Sequence, residues 1–132
     1  MERNAIEELV RRWLNEAIRD GNVAIFDELL AEGVCDSSGG TKVFGSAPFK
    51  RRAQAVHSAF SSIEVAVEEL VIDANRAAWR WSLTGTHTGA FAGVAATGRR
   101  VTLRGVNFQR FEAGRVAEHW TLADLAGLKL SG

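Results

Sequence analysis

The sequence predicts an α+β fold in which helices cover one face of a curved antiparallel sheet. In the first half, apolar residues recur at the spacing of amphipathic helices. From Ile63 onward, apolar and polar residues instead alternate, as they do in half-buried strands. Helices followed by a run of strands indicate an α+β architecture, because each layer must bury its apolar side against the other.

Three helices are predicted before the sheet. Residues 2–19 place their apolar side chains on one stripe, and Gly21 ends this helix. A short second helix over residues 26–30 is stopped by Gly33, and a third helix covers residues 47–60. The apolar stripes predict a helical layer that packs on the sheet.

The first two long strands are predicted to form an antiparallel hairpin. Residues 63–72 alternate apolar groups with glutamates, and residues 77–86 alternate Trp79 and Trp81 with polar side chains. The intervening segment, Asp73-Ala74-Asn75-Arg76, is a turn sequence.

Two further strands complete the predicted meander. Residues 101–111 change the phase of their apolar alternation at Gly105, where we predict a glycine bulge that bends the sheet. Residues 112–114 form the turn into a last strand that ends at Asp124.

Length and charge limit the classes of function. With 132 residues and 46% hydrophobic residues, the chain is long enough to bury a core, and we expect residues 1–132 to form a single domain. Basic and acidic residues balance at sixteen each, so neither a nucleic acid nor an anionic membrane is an expected partner.

The single cysteine and an N-terminus without a signal-peptide pattern predict a cytoplasmic protein. No apolar run approaches the roughly 20 residues that span a bilayer.

The last strand carries the carboxylate of most interest for function. If the strand alternates regularly, Trp120, Leu122 and Asp124 share one face, so the carboxylate lies beside large apolar groups. Such surroundings disfavour the charged form of a carboxylate and favour a proton-transfer group that works near neutral pH. The alternative is that Asp124 caps the turn after the strand and faces solvent.

The second half of the chain contains several motifs with fixed spacing. They are a GTH-G-F-G segment, a TGR strand start, an R-x-x-x-G-R-V turn and an E-x-W-x-x-x-D strand end, formed by Gly85-Thr86-His87 with Gly89, Phe91 and Gly93, by Thr97-Gly98-Arg99, by Arg110 with Gly114-Arg115-Val116, and by Glu118, Trp120 and Asp124. Together these motifs resemble the second half of the SnoaL-like polyketide cyclases, a branch of the NTF2-like superfamily.

The resemblance implies an NTF2-like cone, in which three N-terminal helices and a strongly curved antiparallel sheet enclose an apolar pocket. It implies that Asp124 is the acid/base for an intramolecular aldol ring closure on an apolar, carbonyl-bearing small molecule, with no metal or organic cofactor. A carbon flanked by carbonyls is already acidic, so one positioned carboxylate can remove its proton and then donate it to a carbonyl oxygen. Because the strands carry apolar groups on both parities, we expect a homodimer through the sheet faces, in line with the resemblance.

A further set of side chains is predicted to bind the substrate. The candidates are the aromatic residues Trp79, Trp81, Phe91, Phe108 and Trp120 and the polar residues His87, Asn107 and Arg104. His87 could orient a substrate carbonyl or bond to loop backbone, and Arg104 could bind a carboxylate or enolate or lie solvated at an edge. The strand parity of His119 is opposite to that of Asp124, which predicts a surface or dimer-contact residue.

Two function classes remain open at this point. One is the cofactor-free acid/base enzyme, and the other is a non-catalytic module that holds a small molecule in its cone or a partner on its sheet. The histidines and the cysteine show no metal-binding spacing, so we expect no metal. The absence of tyrosine disfavours the tyrosine-dependent reactions of ketosteroid isomerases and scytalone dehydratases. Where members of the resembled family often carry a histidine after the second helix, this chain has Val34-Cys35-Asp36.

Overall fold

The computed structural model describes residues 1–129 and consists of a helical layer on one face of a six-stranded sheet. In chain order the elements are α1 Arg3–Arg12, a π-helix Trp13–Arg19, a short 3-10 helix Val23–Ile25, α2 Phe26–Leu29, β1 Leu30–Asp36, β2 Val43–Phe44, α3 Ala47–Ala59, β3 Phe60–Asp73, β4 Arg76–His87, β5 Arg100–Glu112, β6 Arg115–Asp124 and α4 Ala126–Lys129. The predicted α+β fold with three N-terminal helices is confirmed.

The N-terminal helix follows its apolar stripe into the core. Its buried side chains are Ile6, Leu9, Val10, Trp13, Leu14 and Ala17. The wider π-helical turn is seen where the Asp20 N–H donates to the Asn15 carbonyl at 3.0 Å. Gly21 then ends the helix with a φ of 73°, a conformation that glycine adopts without strain. No helix within residues 1–129 is long and apolar enough to cross a membrane.

The sheet has the strand order β2-β1-β6-β5-β4-β3. Strands β3 to β6 form the predicted antiparallel meander, and both predicted hairpin turns are present, between Asp73 and Arg76 and between Glu112 and Arg115. In contrast, β1 lies parallel to β6, so the sheet is mixed and not wholly antiparallel. Because β1 enters the sheet directly from α2, its direction follows from the helical layer and not from a hairpin with β6.

The predicted bulge at Gly105 is wrong. Residues 100–110 of β5 pair with residues 76–86 of β4 without interruption. All odd-numbered residues of β5 from 101 to 111 are buried, and the even-numbered residues are more exposed. A glycine is required at position 105 for another reason, because a Cβ there would overlap the indole ring of Trp81 on the neighbouring strand.

The ladder between β5 and β6 contains the irregularity that was expected at Gly105. Arg110 and Phe111 are consecutive on β5, but their partners on β6 are Glu118 and Val116. Ala117 therefore has no partner on β5 and forms a bulge. We call this feature the Ala117 bulge.

The Ala117 bulge reverses the alternation of β6. His119, Thr121 and Ala123 face the helical layer, where His119 is buried and the other two line a cavity. Trp120 and Leu122 face outward together with residues 118 and 124. Regular alternation from residue 116 predicted the opposite faces, and that prediction is wrong.

The Gly105→Ala substitution is expected to lower the free energy of unfolding by about 1 to 3 kcal/mol, because overpacking forces side chains out of their preferred rotamers. The group that must move is the Trp81 indole. Urea unfolding measures the effect. Gly33→Ala is the matched control, since nothing lies within 4 Å of a Cβ built at Gly33. Equal stability of the two variants would contradict the packing role of Gly105.

Candidate active site

A cavity of about 230 Å³ lies between the helical layer and the inner face of the sheet. We call this cavity the cone. Most of its lining side chains are apolar, and the aromatic ones are Trp13, Phe26, Phe49, Trp79, Trp81 and Phe91. The helices supply one wall and strands β4 to β6 supply the other.

Among residues 1–129, three polar side chains reach the cone. They are Arg52 from α3, Asn107 from β5 and Thr121 from β6. Asn107 Oδ1 accepts a hydrogen bond from Trp81 Nε1 at 3.1 Å, which holds the indole in place over Gly105. An apolar cavity with a few convergent polar groups is typical of a small-molecule site.

A chain of buried polar groups lies beside the cone on the same strands. Trp79 Nε1 donates to Gln109 Oε1 at 3.1 Å, and Gln109 Nε2 lies 3.1 Å from His119 Nδ1. Because the Gln109 oxygen is the acceptor for Trp79, its amide group donates to Nδ1, and the imidazole proton lies on Nε2. The imidazole also stacks on the Trp13 ring, with the ring centroids 4.9 Å apart.

His119 is therefore an interior residue, and its prediction as a surface residue is wrong. Burial, with a further contribution from the positive charge of Arg52, lowers the pKa of His119 to about 3, although the Asp36 carboxylate acts in the opposite direction. The imidazole is neutral at physiological pH. With its proton on Nε2, it is a hydrogen-bond donor and not a cation.

An ion pair between Arg52 and Asp36 lies at one side of the cone. Arg52 Nη2 lies 2.5 Å from Asp36 Oδ2, and the guanidinium lies 5.0 Å from the centroid of the Phe49 ring. Asp36 is buried, and its Oδ1 accepts hydrogen bonds from the Ser38 N–H at 3.0 Å and from the Ser38 hydroxyl at 2.5 Å. The Ser38 hydroxyl in turn accepts a hydrogen bond from the Thr121 N–H at 2.9 Å, which joins this cluster to β6.

The Asp36 carboxyl stays ionised in this cluster. Burial acts to raise the pKa of Asp36, but the hydrogen bonds from Ser38 and the charge of Arg52 outweigh it and hold the pKa below its ordinary value. The site thus contains one cation, one anion and a neutral imidazole close together.

Four of the predicted binding residues line the cone. They are Trp79, Trp81, Phe91 and Asn107. Trp79 and Trp81 come from β4, whose alternation was read correctly, and Phe91 comes from the loop after β4. Asn107 faces the cone because β5 pairs with β4 without the predicted bulge at Gly105.

The remaining predicted residues of β5 and β6 lie on the outer face of the sheet. Trp120 and Phe108 pack edge to face there, with ring centroids 5.6 Å apart, and Arg104 lies opposite Asp124. Asp124 is exposed, and its Oδ1 accepts a hydrogen bond from the Ala126 N–H at 2.9 Å, as a turn residue does. The prediction that Asp124 and Trp120 share an apolar interior is wrong in position, and the bulge in β6 is the reason.

His87 lies deep in the core and not at the mouth of the cone. Its side chain is fully buried, Nδ1 lies 3.1 Å from Thr97 Oγ1, and the ring stacks on Phe60 at 5.4 Å. These contacts fasten the loop over residues 88–98 to the start of β3. Its predicted contact with a ligand stays a prediction.

Sequence reasoning missed Arg52, Asp36 and the inward face of His119. One signal for Arg52 was available, because Phe49, Arg52 and Val56 recur at helical spacing, so a charged group interrupts an apolar stripe of α3. The inward face of His119 had no comparable signal, since it depends on the bulge. Within residues 1–129, no group of three or more His, Cys, Asp or Glu side chains is arranged to hold a metal ion.

Comparison with known proteins assigns the family. The model of the SnoaL-like polyketide cyclases matches residues 8–130. The chain belongs to this family. No curated protein matches the chain.

Solved structures share the fold of this SnoaL-like protein. TsrD from Streptomyces laurentii is 23% identical, with a TM-score of 0.87 over 97% of this chain and 94% of that one. AclR from Streptomyces galilaeus, a proposed hydroxylase, is 27% identical, with a TM-score of 0.81 over 95% and 96% of the two chains. IdmH from Streptomyces antibioticus, a proposed polyketide cyclase, is 26% identical, with a TM-score of 0.78 over 93% and 94%.

The His119→Gln substitution is expected to make the stability of the fold depend less on pH below about 6.5. The native imidazole stays neutral down to about pH 3, whereas in the unfolded chain it takes a proton at its ordinary pKa of 6.5. The unfolded state therefore binds more protons in this window, so wild-type stability falls as the pH drops from about 6.5 towards about 3. The lowered pKa of Asp36 acts in the same direction but only below its ordinary value of 3.8.

Thermal unfolding measured from about pH 7 to about pH 4 isolates the histidine contribution. The melting temperature of the His119→Gln variant should decrease less over this range than that of the wild type. His57→Gln, which removes an exposed histidine, is the matched control. Identical slopes in all three proteins would show that His119 is not a buried neutral imidazole.

Proposed function

We propose that this SnoaL-like protein is a cofactor-free acid/base enzyme of the polyketide cyclase type that acts on an apolar, carbonyl-bearing small molecule. The observation that carries the proposal is the cone, an apolar cavity with Arg52, Asn107 and Thr121 as its polar contacts. The likeness to IdmH, a proposed polyketide cyclase, supports the same class of reaction. AclR, a proposed hydroxylase, has the same fold.

The cone suits proton transfer beside a carbonyl group. Ring closure of the aldol type requires removal of a proton from a carbon next to a carbonyl and donation of a proton to an oxygen. In an apolar cavity that excludes water, each oriented hydrogen-bond donor stabilises the charge that develops on that oxygen more strongly than it would in water. The cone volume of about 230 Å³ is just below the range of about 300 to 1,000 Å³ for ligand pockets, which favours a ligand of one or two rings.

Asp124 is the proposed acid/base, because it occupies the last position of the E-x-W-x-x-x-D motif of the resembled family. Its neighbours in sequence, Ala123 and Leu125, both line the cone. The backbone of Asp124 therefore borders the cone, although its side chain faces outward and bonds to the Ala126 N–H.

That outward side chain also favours a second candidate function. A carboxylate that is exposed and bonded to a turn amide has the contacts of a turn residue and not of a desolvated base. The second candidate is a module that binds the same class of ligand in the cone without turning it over.

The Asp124→Asn substitution distinguishes the two candidates. Tetralone, a two-ring ketone, exchanges the hydrogens next to its carbonyl for deuterium in heavy water once a base removes them. The enzyme is expected to accelerate this exchange, and Asp124→Asn is expected to reduce the acceleration by about a hundredfold or more, which is the usual contribution of a positioned acid/base. The melting temperature should change little, because the asparagine carbonyl can still accept the Ala126 hydrogen bond. Mass spectrometry of recovered tetralone measures the exchange.

Asp73→Asn is the matched control, since Asp73 is also exposed at the end of a strand. This variant should exchange tetralone at the wild-type rate. Full exchange by Asp124→Asn would exclude Asp124 as the base. No acceleration by the wild type, together with measurable binding of tetralone, would favour the binding module.

We also propose that two copies associate through the outer face of the sheet. Val71, Ala78, Phe108 and Trp120 occupy paired positions across β3, β4, β5 and β6 and form an apolar row. Val71 and Phe108 are more than half exposed, at 57% and 54%, and Leu122 beside them is 65% exposed. A second copy offers the same row, and an isologous pair of such faces removes both from water at once.

Light scattering of the wild type is expected to give about twice the chain mass of 14.3 kDa. Phe108→Glu places a charge in the middle of the apolar row and is expected to give the mass of one chain, because an unpaired charge is costly to bury. Phe44→Glu is the control, since Phe44 is 65% exposed but lies on the edge strand β2. A wild-type mass near one chain at micromolar concentration would refute the dimer.

A further inference from the structure

Arg52 is the only charged side chain among residues 1–129 that lines the cone. The other polar lining groups, Asn107 and Thr121, are neutral. A guanidinium at the edge of an otherwise apolar cavity favours a ligand that brings a negative charge to the same place, because hydrogen bonds between charged groups are stronger than those between neutral ones.

The guanidinium of Arg52 is held in a fixed position. It lies over the Phe49 ring at 5.0 Å and against Asp36 Oδ2 at 2.5 Å. Asp36 is itself fixed by two hydrogen bonds from Ser38, so the anchor of the guanidinium is rigid. Fixing a long side chain in advance lowers the entropy that ligand binding would otherwise cost.

Arg52 retains donors for a further partner. A guanidinium has five N–H donors in a planar fork, and among the described residues only Asp36, through Nη2, forms an ion pair with it. The fork matches the two oxygens of a carboxylate, which is why arginine is preferred where a carboxylate has to be oriented.

Asp36 is already stabilised by Ser38 on its other oxygen, so it does not depend on Arg52 alone. The pKa of His119 on the inner face of β6 is lowered chiefly by burial and further by the positive charge of Arg52, while Asp36 acts in the opposite direction. The open face of the guanidinium towards the cone is therefore the place where a negative group of a ligand can bind.

The position of Arg52 also orients a ligand. Its side chain lines both the cone and an open surface groove that Asp36, Ser38 and Arg51 border. A charged group bound to Arg52 would lie at this mouth, close to water, and the apolar part of the same molecule would point into the cone.

We propose that Arg52, anchored by Asp36, binds a carboxylate at one end of the ligand, so that the substrate is an apolar carbonyl compound that carries a carboxylic acid. This inference rests on the proposed function in one respect, because it takes the cone as the ligand site. It adds the substrate class and names the residue that selects it.

A matched pair of two-ring ligands tests the inference. Naphthalene carboxylate and naphthalene carboxamide have nearly the same size and shape and differ in charge. Isothermal titration calorimetry with the wild type is expected to show the carboxylate bound about tenfold more tightly or better, as is usual for hydrogen bonds between charged groups.

Variants of α3 assign the preference to one side chain. Arg52→Met keeps most of the apolar stem and is expected to bind both ligands within about twofold of each other, because only the charge and its donors are lost. Arg52→Lys restores the charge without the planar fork and is expected to recover part of the preference. Arg51→Met is the control, since Arg51 borders the groove but not the cone, and it should keep the wild-type preference.

The outcomes separate this inference from the proposed function. If the wild type binds both ligands equally, or if Arg52→Met keeps the preference in a protein that melts at the wild-type temperature, Arg52 does not select a carboxylate, while the cone remains a ligand site. If neither ligand binds, the cone is not a site for such molecules, and both proposals fall. Loss of the preference in Arg52→Met with its retention in Arg51→Met supports the inference.

Discussion

The unpaired residue in β6, Ala117, decides which side chains of β6 face the helical layer and which face outward. Beyond this bulge, His119 and Thr121 face the helices, and Trp120 and Asp124 face outward. Without the extra residue every one of these side chains would lie on the opposite face, because a shift of one residue inverts the alternation of a strand. The cone, the buried histidine and the apolar outer row all depend on it.

Two sets of polar groups beside the cone are hydrogen-bonded among themselves, and the cavity stays mostly apolar. Trp79, Gln109 and His119 form one buried chain of hydrogen bonds, and Asp36 and Ser38 form part of another. Buried polar groups are costly unless they are paired, and paired networks of this kind restrict side chains to one arrangement. The result is an apolar cavity whose polar contacts are few, oriented and chemically distinct: an arginine cation, an amide and a hydroxyl.

Near Gly105, the cone and a groove on the outer face of the sheet share lining residues. Gly105 has no side chain, so the Trp81 indole occupies the space above it, and both Trp81 and Ala123 border the cone as well as a groove on the outer face. A partner that covers the outer face would therefore contact the same residues that line the ligand cavity.

Local patterns in the sequence determined the helices, the β3–β4 hairpin and the inward positions of Trp79 and Trp81, because each follows from a spacing within one element. The motifs of the second half also determined the family, over a match that extends to residues 8–130. Only the tertiary structure decided the faces of β6, since an unpaired alanine leaves no pattern in the sequence and yet inverts everything after it. It also decided the pairing of Arg52 with Asp36, because α3 and β1 meet only when α3 packs on the sheet that contains β1. Burial and these contacts together hold the pKa of Asp36 below its ordinary value.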